Sequence, residues 1–449
     1  MIRFLPGLAL LTFCLTVNAG EYAIVLQDDT AMRASASSAV RPHTLLAQGE
    51  TLEVRAERLE YLQVYDYRRE RGGYVRASQV RRVRLTPDEA PELLAVLRFL
   101  RGMPGSEALA IAFAAAYVEA APPEALNGAA GIEALDAFGT LAGRLVRRPR
   151  ANLDVVKRYG VRFITVERHG QQRLCYDGAA FRRLLVMAAS NEQKARAALA
   201  LTDPGCQAGG LAPAERRDND EWRAQVLDAM NDAALPGVLR SRVLVRRAAV
   251  WSSLAWQRQR LGGDSHSAAE RALLSLDAID PAQLAEGDKS AYREALMRVA
   301  ASRWALATSP SVVPARTPHI VTAPGQDGQT CVLLVDSKNG GANPLAKRCT
   351  YSVVWTASAT LNSEGTALAL AVQPTDAWRE LWLFRKTPGG WKVSIVPPAA
   401  VNPDIGYAEF AGWVRGGRVR IVREAMAEGK ANRQFKLVKL DAFGLRPRS

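Results

Sequence analysis

The sequence predicts a multidomain α+β protein with a small β module first, an irregular α-helical bundle next and an all-β domain last. Three observations support this order. Residues 20–85 alternate apolar and polar side chains with the period of two that half-buried strands show. Residues 86–308 have apolar side chains at helical spacing, divided by Pro and Gly into successive helices. Residues 329–449 return to short apolar runs separated by Gly-rich turns.

The N-terminus has the pattern of an export signal. Arg3 precedes an almost wholly apolar run, and Val17 and Ala19 stand at the two positions that signal peptidase reads. The run is shorter than the about 20 apolar residues that span a bilayer. We therefore expect a signal peptide over residues 1–19, cut after Ala19, and a periplasmic or secreted protein with no transmembrane segment in its mature chain. A lipid anchor on Cys14 is the alternative.

Four cysteines remain after that cut, namely Cys175, Cys206, Cys331 and Cys349. An even number of cysteines in an exported chain indicates disulfides. Three pairings are possible, and Cys175–Cys206 with Cys331–Cys349 keeps each bridge within one domain. Buried free thiols are the alternative. No cysteine has a partner at CxxC spacing and the chain has four histidines, so we expect no metal and no cofactor.

The net charge of +14 suggests an anionic partner such as nucleic acid, anionic lipid or acidic cell-wall polymer. The basic residues are scattered, and the densest runs, at 81–84 and 147–150, are only a few residues long. We therefore expect no nucleic-acid groove.

Five short motifs follow one another in the first β module. They are residues 32–36 (Met-Arg-Ala-Ser-Ala), 45–50 (Leu-Leu-Ala-Gln-Gly-Glu), 61–64 (Tyr-Leu-Gln-Val), 73–75 (Gly-Tyr-Val) and Val80. In order and spacing they resemble the motifs of bacterial SH3 domains. The resemblance implies a small SH3-like β-barrel over residues 20–85 and a cell-wall peptide or envelope protein as its ligand.

Aromatic residues in this module are the candidate binding residues. Tyr61, Tyr65, Tyr67 and Tyr74 lie close together in sequence, with Arg69 among them. Tyr65 and Tyr67 are two residues apart and Tyr61 has the same parity, so we expect these three on one face. Tyrosine offers a flat contact area with a polar tip, which suits peptide or glycan recognition, and arginine attracts acidic groups. Ordinary packing of the barrel is the alternative interpretation of the same residues.

The helical region contains one interruption. Residues 161–166 alternate as a strand, and residues 173–175 are positioned to pair with it, so we predict an inserted β-hairpin near 161–175. Pro91 moves the start of the first helix to a position after the capping pattern at residues 86–89. The predicted helices are 90–101, 106–120, 131–147, 177–188, 191–201, 214–233, 239–260, 267–276 and 280–308.

Residues 309–328 are rich in Pro, Ser and Gly, and we interpret them as a linker. In the all-β domain that follows, a Gly-plus-strand pattern at residues 365–371 recurs at 417–422. Residues 408–417 resemble one blade repeat of TolB-like periplasmic propellers. This resemblance implies an open or sandwich-like sheet of blade-derived hairpins, and an ordinary β-meander is the alternative.

Motifs of the common hydrolases and nucleotide-binding enzymes are absent, including G-x-S-x-G, H-E-x-x-H and the P-loop. Asp264 or Ser265, beside His266, fits a helix cap better than a catalytic pair. We therefore predict no catalytic residue and a non-catalytic periplasmic binding or scaffold protein that recognises peptidoglycan or an envelope protein. The alternative is a cell-wall hydrolase with a carboxylate pair in the helices. The candidate acids for such a pair are Glu107, Glu119 and Glu133.

Overall fold

A computed structural model describes residues 20–149, 151–168, 170–307, 317–399, 405–427 and 430–442. The predicted signal peptide lies outside these residues. The chain forms two compact units, Met1–Gly209 and Gly210–Ser449. Mixed α+β structure is confirmed, but the boundary falls inside the stretch predicted as one helical bundle, so its helices are shared between the two units.

The first unit begins with seven strands. They are β1 (Tyr22–Val25), β2 (Thr30–Met32), β3 (Thr44–Leu46), β4 (Thr51–Arg58), β5 (Tyr61–Asp66), β6 (Arg71–Arg76) and β7 (Val80–Val83). Five of them form an antiparallel sheet in the order β6-β5-β4-β1-β7, and β2 pairs with β3.

The prediction that the N-terminal strands close into a barrel is wrong, because no sheet of the described residues closes on itself. Strands β2 and β3 have three residues each, too few for a continuous ladder, and β2 reaches β6 only through the isolated bridge between Arg33 and Tyr74. Between these strands Val25, Leu62 and Val75 form the core of the module.

Among the described residues, seven α-helices and a hairpin complete the first unit. They are α1 (Ala90–Leu100), α2 (Glu107–Ala120), α3 (Pro123–Asn127), α4 (Ala129–Leu145), α5 (Leu153–Lys157), β8 (Phe163–Arg168), β9 (Gln171–Tyr176), α6 (Ala179–Val186) and α7 (Asn191–Leu201). Pro91 lies in the first turn of α1, where its missing N–H breaks no helical hydrogen bond. The antiparallel β8–β9 pair lies within the segment predicted as a hairpin.

One side of the β sheet shares its core with these helices. Ile24 on β1 and Val83 on β7 belong to the same buried cluster as Leu94 on α1 and Phe113 on α2. The helices therefore cover the β1–β7 end of this sheet face. Within the described residues, no helix is both long enough and apolar enough to cross a bilayer.

In the described part of the second unit, four α-helices are followed by ten strands. The helices are α8 (Pro213–Asp228), α9 (Gly237–Arg260), α10 (Ser265–Asp277) and α11 (Lys289–Ser302). The first three strands are β10 (His319–Pro324), β11 (Thr330–Val335) and β12 (Ala346–Thr350). The other seven are β13 (Val353–Leu361), β14 (Ala367–Thr375), β15 (Trp378–Thr387), β16 (Gly390–Val396), β17 (Gly406–Val414), β18 (Arg418–Ala427) and β19 (Lys430–Lys439).

Strands β10, β11 and β12 form one antiparallel sheet, and the other seven form a sheet in the order β13-β14-β15-β17-β18-β19, with β16 also paired to β15. The sheet is open. The two copies of the sequence repeat form its β14–β15 and β18–β19 hairpins. Strand β10 occupies part of the predicted linker, so residues 319–324 do not belong to a linker, whereas residues 308–316 lie outside the described part.

Both predicted disulfides are confirmed. Cys175 at the end of β9 is bonded to Cys206, with 5.9 Å between their Cα atoms. Cys331 and Cys349 are bonded across directly opposed positions of β11 and β12. Stable disulfides form in oxidising compartments, which agrees with a location outside the cytoplasm.

Candidate functional site

The predicted tyrosines meet on one face of the N-terminal sheet. Strand β5 directs Leu62 and Val64 into the core, so Tyr61 and Tyr65 lie on the opposite face. Tyr74 on β6 joins them, because its β5 partner is the outward-facing residue between those two tyrosines. The strand register shows that these tyrosines lie on the same sheet face that the helices cover at β1. From β1 this face continues across β4, β5 and β6.

Tyr65 is the centre of the exposed part of this face. The guanidinium carbon of Arg55 lies 4.1 Å from the centroid of its ring, and the ring of Tyr67 meets it edge-on with 5.0 Å between centroids. Tyr67 is 62% exposed. On β6 the residue opposite Tyr65 is Gly72, which has no side chain. We call Arg55, Tyr65, Tyr67 and Tyr74 the tyrosine face.

Glu53 holds two members of the tyrosine face in place. Its Oε2 atom accepts hydrogen bonds from the Tyr67 hydroxyl at 3.0 Å and from Arg55 Nε at 3.1 Å. The hydrogen bond with Glu53 raises the pKa of the Arg55 guanidinium, which therefore stays charged. The result is a charged cation above a flat ring, beside a second exposed ring, which is an arrangement that contacts sugars, peptides and carboxylates.

Tyr61 and Arg69 have structural contacts instead. Tyr61 is buried, and its hydroxyl oxygen accepts a hydrogen bond of 3.3 Å from Arg76 Nε. Arg69 Nη1 lies 2.6 Å from Glu50 Oε2 and 2.5 Å from Asp66 Oδ2, and both carboxylates are buried. Arg69 therefore neutralises two acids of the module core, and its guanidinium is engaged by them.

Sequence reasoning missed Arg55 and Glu53. Glu53 lies directly opposite Tyr65 in the β4–β5 register, which period-two alternation could have indicated. Arg55 lies at a register shift between Val54 and Ala56, where one extra residue interrupts the ladder. No local sequence pattern marks this bulge, although it places the guanidinium over the ring.

Two of the three candidate helical carboxylates, Glu107 and Glu133, lie in ion pairs. Glu107 is buried, with Arg144 Nη2 at 3.1 Å and Arg148 Nη1 at 2.7 Å from its two oxygens. The hydrogen bond from Arg98 lowers the pKa of Glu133, which is opposite to the raised pKa that a general acid needs. Glu119 is exposed on α2.

A polar cleft of about 440 Å³ lies in the first unit, between the β1–β4 loops and the end of α4. Asp28 and Gln48 line one side, and Arg148 and Asn152 line the other. The Asp28 carboxylate accepts a hydrogen bond from the Gln48 backbone at 2.9 Å, and Arg148 is held by Glu107. Asp28, Gln48 and Arg148 thus already have protein partners, which makes the cleft a weaker candidate for a binding site than the tyrosine face.

Buried charges of the second unit are also paired. Asp376 lies 3.0 Å from Arg216 and 3.1 Å from Arg298. Burial alone would raise the pKa of the Asp376 carboxyl, and these two arginines together hold it below its ordinary value. Arg379 is fully buried, and burial lowers its pKa to about 10 although it is paired with Glu409. These pairs join α8, α11 and the sheet, which is a structural role.

Two further sequence hypotheses concern histidine and metal. The Asp264 carboxylate accepts a hydrogen bond of 3.1 Å from the Ser267 backbone N–H and so caps α10, as expected. Among the described residues, no group of three or more His, Cys, Asp or Glu side chains could hold a metal ion. His169 lies outside those residues.

The geometry therefore leaves the tyrosine face as the strongest candidate site. Comparisons with family models, curated proteins and solved structures found no match, so the function of this site is inferred from its own residues.

Proposed function

We propose that this chain is a non-catalytic periplasmic binding or scaffold protein whose tyrosine face recognises peptidoglycan. The observation that carries the proposal is the exposed Tyr65–Tyr67 pair with the Arg55 guanidinium over the Tyr65 ring. Peptidoglycan joins sugar rings, which pack on aromatic side chains, to peptides with free carboxylates, which pair with guanidinium groups. The net charge of +14 adds a long-range attraction to an acidic polymer.

Two further observations support this proposal. The two disulfides agree with an oxidising compartment, where the cell wall lies. The antiparallel five-stranded sheet of the N-terminal module agrees with the resemblance to bacterial SH3 domains, from which the expectation of a cell-wall ligand comes.

The alternative of a wall hydrolase gains no support from the helical carboxylates. A hydrolase of this kind needs one protonated and one ionised carboxyl group across a cleft. Glu107 and Glu133 are each bound by two arginines, and the pKa of Glu133 is lowered, whereas a general acid needs a raised pKa.

Binding is tested by sedimentation of the purified protein with insoluble peptidoglycan at low and at moderate salt. The variants are Tyr67→Ala and Arg55→Met, and the matched control is Tyr351→Ala, which removes a tyrosine that is 53% exposed in the second unit. Point variants are preferable to deletion of the β module, because Ile24 and Val83 share a core with the helices.

We expect each face variant to weaken retention about tenfold, equivalent to about 1.4 kcal/mol, and the control to bind like the parent protein. Retention should persist at moderate salt, because ring contacts are not screened. Equal retention of all variants, or retention that salt removes completely, would exclude the tyrosine face as the recognition site and shift the proposal to a protein partner.

A further inference from the structure

Strand β19 is an unusual edge of the large sheet. It pairs with β18 over ten residues, from Lys430 opposite Ala427 to Lys439 opposite Arg418. In the described part of the chain no strand pairs with its other side. Every residue of β19 is exposed except Val438, which is half-buried. The backbone groups along that free side are thus available to another strand.

The two faces of β19 differ in chemistry. On one face Phe435 is 75% exposed and Leu437 is 52% exposed. Phe435 lies opposite half-buried Val422 of β18, so the apolar strip extends from the edge onto the sheet. The other face presents Lys430 and Lys436 together with amide side chains.

Charge decides which kind of strand fits this edge. Strand β19 has four basic residues and no acid, in the sequence KANRQFKLVK. Arg433 is paired with Glu424 at 3.1 Å, whereas Lys430, Lys436 and Lys439 form no ion pair among the described residues. A second copy of β19 would place lysines against lysines, which is a known protection of sheet edges against self-association. An acidic strand meets no such repulsion.

We infer that β19 binds an extended acidic segment of a partner protein, which adds to the sheet as one more strand. Main-chain hydrogen bonds along the free side of β19 provide the pairing, and side chains provide the selectivity. Because side chains alternate between faces, the partner segment alternates apolar residues, which pack on Phe435 and Leu437, with Asp or Glu residues, which pair with Lys430 and Lys436.

Arg433 contributes to this edge by holding Phe435 in position. Its guanidinium is fixed by Glu424 and by a hydrogen bond of 3.1 Å to the Tyr407 hydroxyl, and it lies 5.8 Å from the Phe435 ring centroid. The apolar strip is therefore positioned before a ligand arrives, which reduces the entropy lost on binding.

Fluorescence anisotropy tests this inference with a labelled ten-residue peptide of alternating valine and glutamate and the full purified protein. Two control peptides are used. One alternates valine and lysine, and the other is the valine–glutamate peptide N-methylated at every residue, which cannot donate backbone hydrogen bonds. The protein variants are Lys436→Glu and Phe435→Ser. The matched control is Lys347→Glu, which makes the same charge change at an exposed position of β12.

We expect saturable binding of the valine–glutamate peptide, a loss of at least about tenfold in affinity for Lys436→Glu and Phe435→Ser, and no change for Lys347→Glu. The valine–lysine and N-methylated peptides should bind at least about tenfold more weakly. Equal affinity for the N-methylated peptide would overturn strand addition in favour of charge attraction alone. Failure of every peptide to bind would also overturn the inference. So would a dimer in sedimentation velocity that Phe435→Ser dissociates, because the strand added to β19 would then come from a second copy of this chain.

Discussion

Replacing Arg69 by methionine should destabilise the first unit strongly. In the native protein the two terminal guanidinium nitrogens of Arg69, Nη1 and Nη2, contact Glu50 at 2.6 and 3.0 Å, and Nη1 also contacts Asp66 at 2.5 Å. Both acids are buried, so Arg69→Met leaves two carboxylates without a cation in the core of the β module. Breaking a buried ion pair costs about 3–5 kcal/mol, and we take the lower end, about 3 kcal/mol, because the Arg69 side chain is 30% exposed.

The assay must report on the first unit. All nine tryptophans follow residue 209, so tryptophan fluorescence reports only on the second unit. Hydrogen exchange of peptides covering β5 and β6 measures the local effect, and protection there should fall by about 150-fold, the equivalent of 3 kcal/mol.

Charge removal provides the control for this prediction. The triple variant Glu50→Gln, Asp66→Asn, Arg69→Met has no uncompensated charge, and it should recover most of the lost protection. If Arg69→Met protects β5 and β6 as well as the parent protein does, or if the triple variant is no better than the single one, the reasoning from buried charge is refuted.

Four other perturbations have definite expected results. Replacing Cys175 and Cys206 by serine should lower the free energy of unfolding by about 3.7 kcal/mol for their separation of 31 residues, measured in urea, and an unchanged midpoint would contradict this. The pKa of Asp376 is lowered in the folded protein, so its ionised carboxylate stabilises the fold above its unfolded pKa, 3.8. That stabilisation is lost as the pH falls through the folded pKa, so Asp376→Asn should flatten the acid limb of a Tm-versus-pH curve. Burial and a nearby arginine lower the pKa of His43, so on acidification the unfolded state binds this proton before the folded state does, and the free energy of unfolding falls below about pH 6.5. His43→Gln should remove this pH dependence of stability, and an unchanged dependence would argue against the reasoning. Gly49 has a φ of +86°, and an added Cβ would lie 2.7 Å from a backbone oxygen of α2, so Gly49→Ala should cost more than about 1 kcal/mol in chemical denaturation.

The disulfides and the strand faces are the features that the sequence predicted best. The assumption that cysteines pair with their nearest neighbours in sequence was sufficient to predict the Cys175–Cys206 bridge, because a helix and a hairpin that are close in sequence also lie close in space. Alternation alone placed Tyr61 and Tyr65 on the same face of β5, since successive side chains of a strand point in opposite directions. Both inferences depend on contacts between neighbouring segments.

The candidate site needed the tertiary structure for its composition. Arg55, Arg69 and Arg76 are close in sequence and chemically identical, yet one covers an exposed ring, one neutralises buried acids and one binds a buried hydroxyl. Their roles depend on a bulge in β4 and on which carboxylates other strands bring near, and neither appears in a local pattern.

The sequence by itself determined the periodicity of the strands and helices and the mixed α+β class, and it favoured one of three possible cysteine pairings, because backbone geometry and short-range spacing encode these features. Only the tertiary structure decided that the N-terminal sheet stays open, that residues 319–324 form a strand and that the chain divides at Gly209. It also decided that β19 is a free, cationic edge in the described sheet. Each of these outcomes depends on which distant segments compete for the same surface, and that competition is settled only when the whole chain packs.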